Sequence, residues 1–377
     1  MRSDSLAAVM VAVSVALFLA AISSTLDLPG FDGLLDEPDP TLLAQEARLA
    51  ASRPRRLNLA AFSTSRDVFE DKIAPGFEAW WEARHQERVD VVGWYRGSRV
   101  QARAIAAGFD ADVAVLAWEP DMAVLVDGGL VSSAWRDQPG GGMMSSSCVV
   151  AAVRPGNPIG IRDWDDLTRP GVVLLTPDPR TSGTGASILL SAYGAALRGA
   201  SSTPAGDHDA ASRFVSAMYA QVRVMDDDAE ESLETFSQGI GNVALTTQQE
   251  LTTARLRGQP WEQISPSASL VIRHPAAVVI TNTQRHGTTD LAEAFLEFIR
   301  GTMAQSALAE AGFDPALPQR SATSTTQRGE PVDMFTVEDI GGWERLEPML
   351  QCPGGVLSHA LAAGGRGCSG GGHPSVP

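Results

Sequence analysis

Residues 171–197 constrain the fold of this chain more than any other stretch. Gly171-Val172-Val173-Leu174-Leu175 is an unbroken apolar run of strand length, and 187–197 (SILLSAYGAAL) is an apolar run of helix length. Between them lies Pro179-Arg180-Thr181-Ser182-Gly183-Thr184-Gly185-Ala186, a turn of small and hydroxylated residues. A strand without polar alternation is covered on both faces, and a strand passing directly to a helix is one half of a βαβ unit. Such a turn also leaves several backbone N–H groups free at the positive end of the helix dipole. That arrangement holds an anion without a lysine or arginine.

The same alternation runs through most of the chain. Residues 56–62 read as a strand, and a helical pattern from Arg66 places Phe69, Ile73, Phe77 and Trp80/Trp81 on one core face. Pro75-Gly76 is expected to kink or split that helix. Residues 89–94 and 111–117 read as strands around a helix over 100–108. A connecting strand over 148–153 leads through the turn Arg154-Pro155-Gly156-Asn157-Pro158 into a second α/β unit, 164–247. Another strand (276–281), a helix (291–300) and a short, partly helical segment (331–349) follow. The class is α/β with parallel sheets.

At 377 residues the chain is long enough for two lobes and a tail. A net charge of −16 and the lack of a basic stripe argue against nucleic acid as the partner. A small anion is not excluded, because local N–H groups outweigh a distant, screened surface charge. Residues 6–22 form an uncharged apolar run, with Arg2 before it and Asp27, Asp32, Asp36 and Glu37 after it. This predicts export, with residues 1–24 a signal peptide or membrane anchor and 25–55 a Pro-rich acidic linker. Cys148 reads as a small core residue, while Cys352 and Cys368 lie in a Gly-rich tail (350–377) expected to be disordered. No metal site or cofactor is expected. Nor is an enzyme: Gly-x-Ser-x-Gly, Walker and His-Glu-x-x-His patterns are all missing. His85 is placed at a helix end, His208, His274 and His286 in loops, and Asp207-His208-Asp209 in a hydrophilic turn.

Three strand–turn–helix junctions share one chemistry: Phe62-Ser63-Thr64-Ser65-Arg66, Arg96-Gly97-Ser98-Arg99 and Thr181-Ser182-Gly183-Thr184. Each offers helix-start amides and a hydroxyl, and open α/β sheets bind ligands beyond the carboxyl ends of their strands. Helix capping alone accounts for any one of them. With these residues the chain resembles the bacterial periplasmic sulfate- and thiosulfate-binding proteins that feed ABC importers. The resemblance runs from about Arg56 to Met349. It rests on Arg154-Pro-Gly-Asn-Pro158, Asp163-Trp-Asp-Asp-Leu167 through Arg169-Pro-Gly-Val172, Thr176-Pro-Asp-Pro-Arg180-Thr-Ser-Gly183, Gly239-Ile-Gly241, Phe335-Thr-Val-Glu-Asp339 and Gly341-Gly-Trp343.

The resemblance implies a two-lobed periplasmic-binding-protein fold (type II), each lobe a sheet flanked by helices, joined by hinge strands. Lobe 1 would comprise 56–148 and 276–330, and lobe 2 149–275 and 331–349. It implies a small tetrahedral oxyanion as ligand and an ABC permease as partner. By position, main-chain donors would come from Ser63, Ser98, Gly183, Thr184 and Ala229, with the hydroxyl of Ser182; Thr247 stands where the family has a tryptophan donor. Ser63 replaces an aspartate, Thr184 a glycine, Ala186 an arginine and Glu230 an arginine. A carboxylate about 8 Å from a dianion costs on the order of 4 kcal/mol at an effective dielectric near 20. The side taken by the acidic run Asp226 to Glu231 therefore matters. On sequence alone Ser182→Ala is expected to weaken binding, Gly183→Pro to abolish it, and Thr247→Trp to raise sulfate affinity. A membrane-anchored sensor of the same fold, with altered or lost ligand, is the alternative.

Overall fold

The computed structural model describes residues 53–315, 331–350 and 355–366. The segment 6–22, the linker up to residue 52, Cys352, Cys368 and His373 lie outside them. The chain divides into two compact units. In the smaller, which includes Trp81–Asp90, the Arg55 guanidinium and the Trp81 indole both donate to Glu87 at 3.2 Å, and Trp81 stacks on His85. The larger carries Leu57–Trp80 and everything after Val91.

Strands and helices alternate as the apolar runs require. The strands are β1 (Arg55–Phe62), β2 (Val89–Arg96), β3 (Val113–Val115), β4 (Met143–Val153), β5 (Leu174–Pro177), β6 (Val222–Asp226), β7 (Val243–Thr247), β8 (Glu262–Ile264), β9 (Ala268–Val278), β10 (Asp314–Pro315) and β11 (Asp333–Phe335). The main path runs β2-β1-β3-β9-β4-β7-β5-β6. β1 is parallel to β3, and β5 is parallel to both β6 and β7. The middle of the path is antiparallel: β3 with β9, β9 with β4, and β4 with β7. β4 and β9 are 11 residues each, and every residue of β4 is buried. Each long strand joins a different array. Ala276 to Val278 of β9 pair with β3, whereas Val149 to Val153 of β4 pair with β7. Among the described residues, hydrogen-bonded continuity between the two parallel arrays thus runs through the β4–β9 pair.

The helices used below are α1 (Ala74–His85), α2 (Ser98–Ala106), α3 (Glu119–Asp127), α4 (Gly183–Leu197), α5 (His208–Tyr219), α6 (Ala229–Ser237), α7 (Gln248–Leu256), α8 (Ile280–His286), α9 (Thr289–Arg300), α10 (Thr302–Glu310) and α11 (Val356–Ala363). Burial of α4 is nearly complete, from Gly183 to Ala196, which accounts for a helix without a charged residue. Its Leu189 and Tyr193 share a core with Trp164, Leu270 and Phe335.

The motifs away from the junctions hold the frame together. Arg154 donates to the carbonyls of Phe236 and Gly241 and lies 3.6 Å from the Phe236 ring centre. Asp163 and Asp166 form a capping box. Gly241 sits at φ 71° against Leu175, where any side chain would overlap it.

Several expectations are corrected. The strand predicted over 171–175 begins only at Leu174, and α4 begins at Gly183, not Ser187. The strand predicted to reach Thr281 ends at Val278, and Ile280 opens α8. Ahead of Pro75 the helix does not split; it runs as a π-helical turn, Phe69–Ile73, with the Ala74 N–H donating to Phe69 O. Proline has no N–H to offer the previous turn, and a wider turn shifts the register by one residue. Within the tail expected to be disordered, Val356–Ala363 is helical and buries Val356, Leu357, Ala360 and Leu361. His208 opens α5 with Asp207 as its cap, His274 is buried in β9 beside Ser145, and His286 ends α8. None of the three is a loop residue.

Candidate functional site

Each junction singled out in the sequence is a helix start at the carboxyl end of a strand. Ser182 caps α4: its Oγ accepts the Gly185 N–H at 3.2 Å, and its carbonyl accepts Ala186 N at 3.1 Å. The N–H groups of Gly183 and Thr184 precede the helix's own ladder of bonds. Ser98 opens α2 after Gly97. Its hydroxyl donates to Asp121 at 2.7 Å and accepts Ala117 N at 3.2 Å, so its amide is what faces outward from the helix start. Asp228 caps α6 and takes the N–H groups of Glu230 and Glu231 at 2.9 and 3.1 Å. Of that first turn, Ala229 N–H remains.

The glycines show that these starts meet. A β-carbon built on Gly183 would lie 2.6 Å from Cβ of Trp118 and 3.1 Å from Cβ of Ser98. One built on Gly97 would lie 3.0 Å from Thr181 O and 3.4 Å from Cβ of Asp228. The bare α-carbons of Gly97 and Gly183 therefore allow the starts of α2, α4 and α6 to touch. Trp118 forms the wall behind them, braced edge-on by Trp343 at 5.0 Å.

The fourth start is α7, and one carboxylate ties it in. Thr247 caps α7 through its hydroxyl, which accepts Glu250 N at 3.3 Å. Glu250 reaches back and accepts Thr247 N at 2.9 Å, as well as the Thr246 hydroxyl. Its other oxygen accepts the Thr184 hydroxyl at 2.9 Å and the Thr64 hydroxyl at 3.3 Å. Thr64 follows Ser63 in the turn after β1, so Glu250 binds two of the proposed positions, Thr184 and Thr247, and the neighbour of a third. All seven sequence-predicted residues (Ser63, Ser98, Ser182, Gly183, Thr184, Ala229 and Thr247) are buried.

Two of these positions show how their side chains are used. The amide of Thr247 is consumed by its capping box, which leaves only its hydroxyl proton to donate. The hydroxyl of the β-branched Thr184 is engaged by Glu250. The acidic run is not aimed as a block at the junctions. Asp228 is a cap, Asp226 accepts from Thr235, and Glu230 pairs with Arg66 and Arg257 at 3.9 and 3.7 Å.

Burial governs the charges here. It raises the Glu250 carboxyl despite the bonds from Thr246, Thr247 and Thr184, which pull it down. It pushes Asp121 up to about 6, against the opposing pull of Arg99 and the Ser98 hydroxyl. Arg99 stands 3.6 Å from Asp121 and donates to Pro179 O at 2.7 Å. Sequence reasoning named Gly97 and Arg99 only as members of a junction, and it missed Glu250 and Asp121. Glu250 alone had a signal: Thr247-x-x-Glu250 ahead of a helix is the capping-box pattern. Among the described residues no group of three or more His, Cys, Asp or Glu side chains is placed to hold a metal ion. Cys148 is buried in β4.

A family model described as bacterial extracellular solute-binding protein matches residues 57–314. The chain is 33% identical over 313 residues to a sulfate-binding protein of Synechococcus elongatus, covering 82% of this chain and 88% of that one. It is 32% identical over 314 residues to a thiosulfate-binding protein of Pseudomonas aeruginosa, covering 82% and 92%. Among solved structures it is similar to the sulfate-binding protein SubI of Mycobacterium tuberculosis, with TM-score 0.69, 32% identity and coverage of 78% and 99%. A periplasmic thiamin-binding protein, 15% identical with TM-score 0.60, shares the fold. The strand order, the β4–β9 pair and these likenesses lead to one conclusion: the chain belongs to the bacterial extracellular solute-binding proteins, in the sulfate/thiosulfate-binding family, and has the α/β periplasmic-binding-protein fold.

Proposed function

We propose that the chain is the extracytoplasmic binding component of an ABC-type importer and that its ligand is a small tetrahedral oxyanion of the sulfate or thiosulfate class. The observation that carries this reading is the meeting of the starts of α2, α4 and α6 around Gly97 and Gly183. Helix-start N–H groups aimed at one point form a cradle for an anion, and the helix dipoles add to its potential. Amides of Ser63, Ser98, Gly183, Thr184 and Ala229 and the hydroxyls of Ser182 and Thr247 are the proposed donors. These donors are neutral. They suit a fully ionised oxyanion, which needs only donors.

The lobes are assigned to 56–148 with 276–330 and to 149–275 with 331–349, hinged at β4 and β9. Two supports stand behind that division: β1 and β3 are parallel in one array, and β5, β6 and β7 in the other. A binding component needs no chemistry of its own, and we assign none. Export and an ABC permease as partner follow from the same family reading. Among the described residues no helix is long and apolar enough to cross a membrane, and the apolar run 6–22 lies outside them. Isothermal calorimetry of the purified chain against sulfate, thiosulfate, molybdate and phosphate tests the proposal. Heat with sulfate or thiosulfate is expected; none with either at millimolar ligand would overturn it.

A further inference from the structure

A large cavity opens beside β9, and the strand pairing explains it. β4 pairs with β9 only as far as Pro275, while Ala276 to Val278 pair with β3. Past Pro275 the outer edge of β9 therefore has no strand beside it among the described residues. The 3-10 turns Ser133–Asp137 and Pro139–Gly142 stand on one side of this gap and α9 on the other. They enclose about 1000 Å³. None of the seven proposed oxyanion donors borders it.

The floor is apolar, formed by the buried Val131, Trp135, Ala277 and Leu296. Trp135 is held in place from two directions. Gly142, at φ 74°, presses on it so closely that a β-carbon would fall 2.5 Å from its ring. The Arg136 guanidinium lies 4.6 Å from the ring centre.

Arg300, the last residue of α9, brings a half-buried cation into the wall. Its Nη2 donates to Ala276 O at a long 3.4 Å, and its buried Nε has no partner among the described residues. Burial lowers its pKa, and no carboxylate opposes that shift. Arg154 shows the contrast, because its Nη2 donates to the carbonyls of Phe236, Ile240 and Gly241. A guanidinium drawn from water with so few acceptors is a receptor for a carboxylate, which matches its planar fork. Glu293 and Glu297 stand exposed on the α9 side of the rim, where they repel a second negative charge. The volume suits an organic molecule, and an inorganic oxyanion would leave most of it unfilled.

We propose that this cavity is a second binding site, for a small organic monocarboxylate whose charged end meets Arg300 and whose apolar body lies on Trp135 and Leu296. The inference does not rest on the oxyanion reading.

Isothermal titration of the full chain with 3-phenylpropionate, hexanoate and indole-3-acetate at fixed ionic strength tests it. Saturable heat at millimolar ligand is expected with at least one; none with any of the three would overturn the site. The matching amide keeps the shape without the charge, and the matching dicarboxylate adds a charge that would meet Glu293 and Glu297. Each is expected to bind about tenfold more weakly than the acid. Arg300→Gln is expected to weaken the acid about tenfold, with Arg300→Lys between, because lysine keeps the charge and loses the fork. Should Arg300→Gln fail to fold, the amide comparison on the wild type decides. An acid bound no better than its amide or its dicarboxylate, or unaffected by a folded Arg300→Gln, would overturn the assignment. Saturating sulfate or thiosulfate is expected to leave the affinity unchanged. Displacement by either would put the carboxylate among the oxyanion donors and remove the second site, leaving the oxyanion reading intact.

Discussion

At the scale of single residues, the site is defined as much by acceptors behind the donors as by the donors themselves. Glu250 accepts from Thr64, Thr184, Thr246 and Thr247, and Asp121 accepts from Ser98. Glu250→Ala should leave these buried donors unpaired and remove the α7 cap, lowering stability by about 3 kcal/mol in chemical unfolding. Asp121 gives a prediction with a pH signature. The fold raises this carboxyl from 3.8 to about 6, so it disfavours the ionised form. Its contribution favours the folded state below about pH 4 and is lost as pH rises through about 6. Asp121→Asn cannot ionise and escapes that loss. Melting curves should show the variant gaining on wild type between about pH 4 and pH 7, by on the order of 3 kcal/mol. Parallel pH dependence in the two proteins would mean that Asp121 does not titrate in that window. Ser182→Ala should lower stability by about 1 kcal/mol through the lost cap and weaken sulfate binding roughly tenfold, as equilibrium titration would show.

At the scale of elements, the reason for glycine at 183 is contact between helix starts. Alanine has higher intrinsic helix propensity by up to about 1 kcal/mol, yet its β-carbon would fall 2.6 Å from Trp118. We expect Gly183→Ala to lower the melting temperature and weaken sulfate binding together, because α4 must draw back from α2. Gly183→Pro is the poorer test, since the ring would clash at the same place whether or not the amide is used. Thr247→Trp changes sign in the light of the structure. Thr247 is a buried cap whose hydroxyl holds Glu250 N, and an indole in its place breaks that cap and overfills the junction. Reduced stability and reduced sulfate affinity are now expected. The existence and type of most elements were legible, because apolar periodicity is local. Their ends were not: α4 begins four residues before its apolar run, since Gly183, Thr184 and Gly185 are helical only once α2 and β5 pack against them.

At the scale of the whole molecule, a ligand that binds only the folded chain raises its stability in proportion to the logarithm of its concentration over Kd. Sulfate or thiosulfate at about a hundredfold Kd should add about 2.7 kcal/mol, which a melting series against KCl at equal ionic strength would register. A chain unmoved by every oxyanion would remove the transport role. The α/β class and the three βα junctions were written in the sequence itself: strand and helix periodicity and small turn residues act within a few positions of one another. So was the placing of Ser98, Gly183 and Thr184 at or near helix starts, whose first amides have no partner in the helix's own ladder. Only tertiary structure decided that these starts face one another, that Glu230 is turned to Arg66 and Arg257, and that Glu250 binds Thr64 and Thr184 from 186 and 66 residues away. Contacts over such separations depend on strand order and close packing, which no local window of sequence encodes.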